Sequence, residues 1–255
     1  MLGYTSAYAG MNEVELAEFG LAWQHAEEAI AYGKKYRHTE IIAMGHKIRG
    51  DIYSRLESPI KSVSAYQQGL AVDKESFVSV ENAARLGVML GLLGDPEADA
   101  TLEAALATAN EAGLETTALN ARALQLSLFI ARQDYDSYHE NLGEIQDRLI
   151  ERSHPKSFVW TDYLQALRYF QQGKFDESLA LLEKTLPVLD EIEFFWIHLR
   201  AQRLCLAVRK QLGKDTAAIA NKLEEMLKKI EQGLGDAPLQ EEWQLFSARV
   251  RDEIK

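Results

Sequence analysis

From Trp160 to Thr185 the chain reads W-T-D-Y-L-Q-A-L-R-Y-F-Q-Q-G-K-F-D-E-S-L-A-L-L-E-K-T. Apolar residues recur at helical spacing as far as Gln172 and resume at Phe175. That is the 3.6-residue period of amphipathic helices, not the two-residue alternation of strands. Gly173 sits at the break, where a residue able to adopt the left-handed conformation ends a helix. Small side chains, Ala166 and Ser178, flank the corner, with Tyr169 and Phe175 close to it. The stretch predicts a helical hairpin whose two arms approach closely.

The same hairpin recurs in both directions. Taking Gly173 as a corner, equivalent corners fall at Glu57, Gly94, Gln133 and Gly213, at intervals of 37, 39, 40 and 40 residues. Seven residues before each corner stand Gly50, Gly87, Leu126, Ala166 and Leu206. Ser58-Pro59 and Asp95-Pro96 place a capping side chain before a proline at the first helical position. Asp134 and Asp176-Glu177 set acids in a first turn, where the helix dipole favours them. First helices are expected over about 39–55, 77–93, 116–132, 156–172 and 194–212. Second helices are expected over about 59–72, 97–112, 135–152, 175–190 and 216–232, with boundaries good to about two to four residues. Residues 13–35 read as one further second helix, and Leu2 to Ala9 as its weak partner. Gly233-Leu234-Gly235 ends the last pair, and a helix over about 239–253 follows. The organisation is therefore an N-terminal segment (1–12), a helical repeat array (13–235) and a C-terminal capping helix (236–255). A two-helix unit of about 40 residues cannot bury its own apolar face, so neighbours must stack. The fold class is all-α: an α-α superhelical solenoid of about five to six antiparallel helix pairs closed by a capping helix.

Composition agrees with a folded array. Of 255 residues 47% are hydrophobic and 26% charged, with five prolines and no low-complexity tract. The net charge of -11 opposes the phosphate backbone of nucleic acids, so no direct nucleic-acid partner is expected. The longest apolar run, Leu86 to Leu93, is far short of the roughly 20 residues that span a bilayer, and no secretory leader is read at the N-terminus. The lone Cys205 lies on an apolar helical face and fits a reducing, cytoplasmic setting. Catalytic, metal and cofactor sites are absent from this reading. The six histidines show no ligand spacing, and neither a P-loop nor G-x-S-x-G is present. The run Asp190-Glu191-Glu193 reads as a solvated face.

The arrangement W-x2-Y...A-x2-Y...G-x-F-x2-S over 160–178 resembles a tetratricopeptide repeat, and Gly50, Tyr53, Ser62, Tyr66 and Gly69 fall on the same small and aromatic positions. The standard repeat is about 34 residues, whereas these are nearer 40, and the usual closing proline is replaced by an early Pro187. Such long repeats look like those of the sensor regions of large bacterial signalling ATPases and transcription activators. The resemblance implies that the first helices line a concave groove. Its lining would be Met44, Lys47, Asp51 and Ser54; Ala84 and Val88; Asn120, Ala123, Ser127 and Ile130; Trp160, Tyr163, Leu167 and Phe170; and Arg200, Arg203, Ala207 and Lys210. Such a groove is aromatic in the middle and basic at its C-terminal end, suited to a partner protein or peptide that is acidic with apolar residues. Trp160 and Phe170 also fit plain interhelix packing, and the arginines fit pairing with nearby glutamates. The function implied is a non-catalytic interaction scaffold. The alternative is a regulatory sensor region that binds a small effector. The carboxylate clamp of chaperone-binding members is excluded, since Lys47 is followed by Ala84 and Val88 where that clamp needs polar groups.

Overall fold

The computed structural model describes residues 2–151, 155–192 and 194–255, with side chains described throughout these except at 149–151 and 155–158. Residue 152, which ends an expected helix, His154 and Glu193 lie outside the described residues. The described chain is all-α. Its helices are α1 (Leu2–Leu16), α2 (Phe19–Tyr36), α3 (Thr39–Arg55), α4 (Pro59–Val72), α5 (Phe77–Leu92), α6 (Ala98–Glu111), α7 (Glu115–Ala131), α8 (Tyr135–Glu151), α9 (Pro155–Gln171), α10 (Phe175–Glu191), α11 (Phe195–Gln211), α12 (Ala217–Gly233) and α13 (Gln240–Ile254).

The corners share one backbone device. Glu57, Gly94, Gln133, Gly173 and Gly213 all have positive φ, between 53° and 74°. In each, the next residue's N–H reaches back five residues. Ser58 donates to the Tyr53 carbonyl at 2.8 Å, and Asp95 to Leu90, Asp134 to Phe129, Lys174 to Tyr169 and Lys214 to Arg209 do so at 2.9 Å. The corner residue itself donates three residues back, as Gly173 does to the Phe170 carbonyl at 3.0 Å. These paired bonds satisfy carbonyls that the helix end would otherwise orphan. The next helix then starts on different chemistry at each corner. Asp95 Oδ1 accepts from the Glu97 N–H at 2.9 Å and Asp134 Oδ1 from the Ser137 N–H at 3.2 Å. Ser58, expected to cap α4, makes no such side-chain bond, and Pro59 alone opens that helix.

A sixth corner divides the helix expected over 13–35. Ala17 has φ 66°, and Glu18 donates to the Glu13 carbonyl at 2.9 Å. It lies 40 residues before Glu57, with Gly10 seven residues ahead of it, so α1 and α2 form a pair of the same period. Ala17 is buried, and a non-glycine corner leaves the apolar pattern running through unbroken. That continuity is why the sequence reads there as one helix.

Close approach explains the small residues. A Cβ on Gly50 would collide with the Tyr66 ring, and one on Gly87 would lie 3.0 Å from the Ala98 carbonyl oxygen and from Leu102. A mid-helix glycine costs about 1 kcal/mol against alanine, and here that cost permits contact between the arms. Ser62 Oγ donates to the Gly50 carbonyl and Ser178 Oγ to the Ala166 carbonyl, each at 2.8 Å and each across 12 residues. The same bond at the same spacing in two hairpins ties them to one repeat.

The chain divides into two compact units. The first comprises residues 1–128 with 233–243, and the second comprises 129–232 with 244–255. In the first, α1 to α6 pack in sequence, and the first helix α3 also packs on α1 and on α5. Tyr53 on α3 meets Trp23 on α2 edge to face, with centroids 5.9 Å apart, so it fills space between hairpins. The segment after α12 belongs here: a side chain at Gly233 would strike the Ala17 carbonyl, and one at Gly20 the Leu234 carbonyl. Lys61 at the start of α4 pairs with Glu241 at 3.2 Å and with Glu242. In the second unit α8, α9, α10 and α11 pack in sequence, and the first helices α9 and α11 also touch.

Candidate functional site

In the second unit Trp160, Tyr163, Leu167 and Phe170 follow at spacings of three, four and three, which sets them along one face of α9. Each is half-buried. Val159, Leu164 and Ala166, three or four residues from members of the row and so flanking it, are 4% exposed or less. Phe170 is braced by Phe175 across the corner, with centroids 5.6 Å apart, and Gln165 donates to the Tyr169 hydroxyl at 3.0 Å. The stripe is half-open and bordered by buried side chains.

α11 offers a different surface. Arg200, Arg203 and Ala207 are half-buried and Lys210 is exposed. Two of these cations are already occupied by the end of α13. Arg203 holds Glu253 through Nε at 2.7 Å and Nη2 at 2.5 Å, the two-pronged geometry that suits guanidinium to carboxylate. Its guanidinium carbon also lies 5.9 Å from the Phe246 ring centroid. Lys210 Nζ donates to the Glu253 backbone carbonyl at 2.6 Å. Arg251 of α13 pairs with Glu224 of α12 at 3.6 Å. A helix presenting an acid and an aromatic ring therefore sits on α11, a match that needed the fold to bring residue 253 beside residue 203.

On α3 and α5 the corresponding stripe is largely closed, with Ser54 half-buried, whereas on α7 Asn120 is exposed and Ala123 and Ser127 are half-buried. Met44, Ala84 and Val88 are core residues, exposed by 5% or less, and Val88 belongs to the cluster around Tyr66, Met89 and Leu102. Ile130, in the second unit, is fully buried. Lys47 is 4% exposed and saturated within the fold: its ammonium lies 3.1 Å from Asp51 on its own helix and 3.5 Å from Glu81 on α5. Asp51 also takes Arg85 at 3.1 Å and the Tyr66 hydroxyl at 2.6 Å. Burial pushes the Asp51 carboxyl up, but Arg85, Lys47 and the tyrosine outweigh it and hold it down to about 2. The same Asp51 and its burial drive the Tyr66 hydroxyl far above its ordinary range. Arg55 meets Glu15 of α1 at 2.7 Å and holds that carboxyl low despite its burial. Three acids and three bases join α1, α3 and α5 as charge-balanced struts, leaving Lys47 no charge to offer a partner.

Among the described residues no group of histidine, cysteine and acid side chains could hold a metal ion, and no helix is long and apolar enough to cross a membrane. Cys205 is buried, which pushes its thiol up and away from reactivity. No protein-family model and no curated protein matches the chain.

Proposed function

We propose that this chain is a tetratricopeptide-like interaction scaffold, non-catalytic and cytoplasmic, that docks a helix or peptide of another protein on the α9 stripe. The observation that carries the reading is the half-buried row Trp160, Tyr163, Leu167 and Phe170, bordered by the buried Val159, Leu164 and Ala166. Aromatic side chains on a rigid support supply much contact area at little entropic cost, and they dominate binding hot spots. The chemistry of the partner is suggested by α13, which lays Phe246 and Glu253 on Arg203. A partner helix with an aromatic or aliphatic ridge and a flanking acid fits the same kind of surface. The net charge of -11 argues against nucleic acid as that partner.

The test is affinity capture with the Tyr163→Ala, Phe170→Ala double variant. Its thermal stability stays close to wild type, since both residues are half-exposed, while the captured partner is lost by at least tenfold. Capture at undiminished affinity would remove α9 as the docking face.

A further inference from the structure

Five residues before the corners at 57, 94, 133 and 213 stand Ile52, Met89, Leu128 and Val208, each 9% exposed or less. Before the corner at 17 the place is held by Asn12, which is exposed. Before the corner at 173 it is held by Arg168, only 6% exposed. A guanidinium thus occupies what four other repeats fill with an apolar side chain. A second departure lies in the preceding pair. Five residues after the corner the other pairs carry Ala22, Ser62, Asp99, Ser178 and Ala218, whereas that pair carries the bulky Tyr138, with no exposed surface.

The two departures meet. Arg168 Nη1 donates to His139 Nε2, and its guanidinium carbon lies 5.8 Å from the Tyr138 ring centroid and 5.0 Å from that of Tyr169. The buried Nε of Arg168 has no acceptor, and neither does the buried hydroxyl hydrogen of Tyr138. Among the described residues no carboxylate pairs with Arg168. Asp162 is close enough to Tyr138 to raise its hydroxyl, but it faces Lys184 at 3.9 Å. A buried cation lacking a counter-charge is costly, and a hydrophobic residue of similar volume does as well or better in its place. Its own unsatisfied Nε and the unsatisfied Tyr138 hydroxyl beside it add to that cost. Departures from a repeat pattern that lack a compensating gain mark functional places.

We infer that Arg168, Tyr138 and His139 form a binding site for a carboxylate. The guanidinium offers Nε to one carboxylate oxygen and the tyrosine hydroxyl donates to the other, with the Tyr138 and Tyr169 rings as walls. One guanidinium balances one carboxylate head, the second carboxylate of a diacid staying in water, whereas a phosphate dianion carries both charges on one head and is left half-neutralised. His139 is exposed whereas Arg168 and Tyr138 are not, so the imidazole is the door and swings aside on binding. The ligand is a small carboxylic acid, and the site does not rest on the α9 stripe.

Thermal unfolding of the full chain in succinate, against sodium chloride and inorganic phosphate at equal ionic strength, tests this. Succinate well above its dissociation constant raises the wild-type midpoint by roughly 3–6 °C, and phosphate by less. Tyr138→Phe melts no lower than wild type in chloride and binds succinate about tenfold more weakly, having lost one hydrogen bond to a charged group. Arg168→Leu, which restores the pattern of Leu128, melts no lower in chloride and shows no succinate response. The inference is overturned by a wild-type midpoint indifferent to succinate or equally raised by phosphate. It is also overturned if Arg168→Leu keeps the response, or if either variant is destabilised in chloride, which would make the cluster structural.

Discussion

At Gln133 an exposed side chain is held at φ 58°, a conformation in which Cβ crowds the following carbonyl oxygen. Gln133→Gly removes that crowding and raises stability by about 0.5–1 kcal/mol in urea unfolding. Gly173→Ala at φ 74° does the opposite by about 1 kcal/mol. Equal stabilities for both variants and wild type would mean the corners are not left-handed. At Asp51 the issue is charge. Its carboxyl sits at about 2 against an ordinary 3.8, so the folded state gives up this proton more readily than the unfolded one. The contribution is complete above pH 4 and is lost as pH falls through 2; by linkage it is worth about 2 kcal/mol. Asp51→Ala abolishes this acid-labile part and, by leaving Lys47 and Arg85 buried without their shared partner, costs about 3 kcal/mol at neutral pH. A variant whose stability falls with acid as steeply as wild type would assign the lability elsewhere.

Among the elements, the hairpins were legible in sequence and their partners were not. Corner positions follow from local signals: the αL-tolerant residues at 94, 173 and 213, Asp95 as a cap, and small residues seven ahead at Gly50 and Gly87. The corner at Ala17 lacks glycine, proline and a capping acid, and was legible only through its distance from Glu57 and the presence of Gly10. The stripe on α9 could be read as a helical face from spacing alone. Whether such a stripe is open depends on residues far away in sequence, and so Lys47, Val88 and Ile130 read the same as Tyr163 until Glu81 and the surrounding core are placed beside them. Glu253 as the counter-charge of Arg203 had no sequence signal beyond its sign. The prediction proper to this scale concerns the arm contact. Ala166 is fully buried, with its carbonyl taking the Ser178 hydroxyl. Ala166→Leu overpacks the hairpin by about 1–3 kcal/mol, and Ser178→Ala costs about 1 kcal/mol. An unchanged melting temperature for Ala166→Leu would show that the arms are not in close contact.

For the whole molecule, the repeat and the function rest on different supports. Six corners at intervals of 37 to 40 residues, each with the same hydrogen-bond pair, make the chain a series of like helix pairs followed by α13. The last stretch is shared: 233–243 belongs to the first unit, and 244–255 to the second, where Phe246 and Glu253 lie on α11. The binding reading rests on which first helices keep a half-open stripe once those contacts are made, and α9 is the one that keeps aromatic residues there. The most direct measurement is a photo-crosslinking scan along α9 in cells, with the reactive residue placed singly at 160, 163, 165, 167, 169 and 170. The account predicts a crosslinked partner from 160, 163, 167 and 170 and none from 165 or 169 on the opposite face, a pattern with the period of the helix. Crosslinks absent throughout, or equal at all six positions, would contradict it.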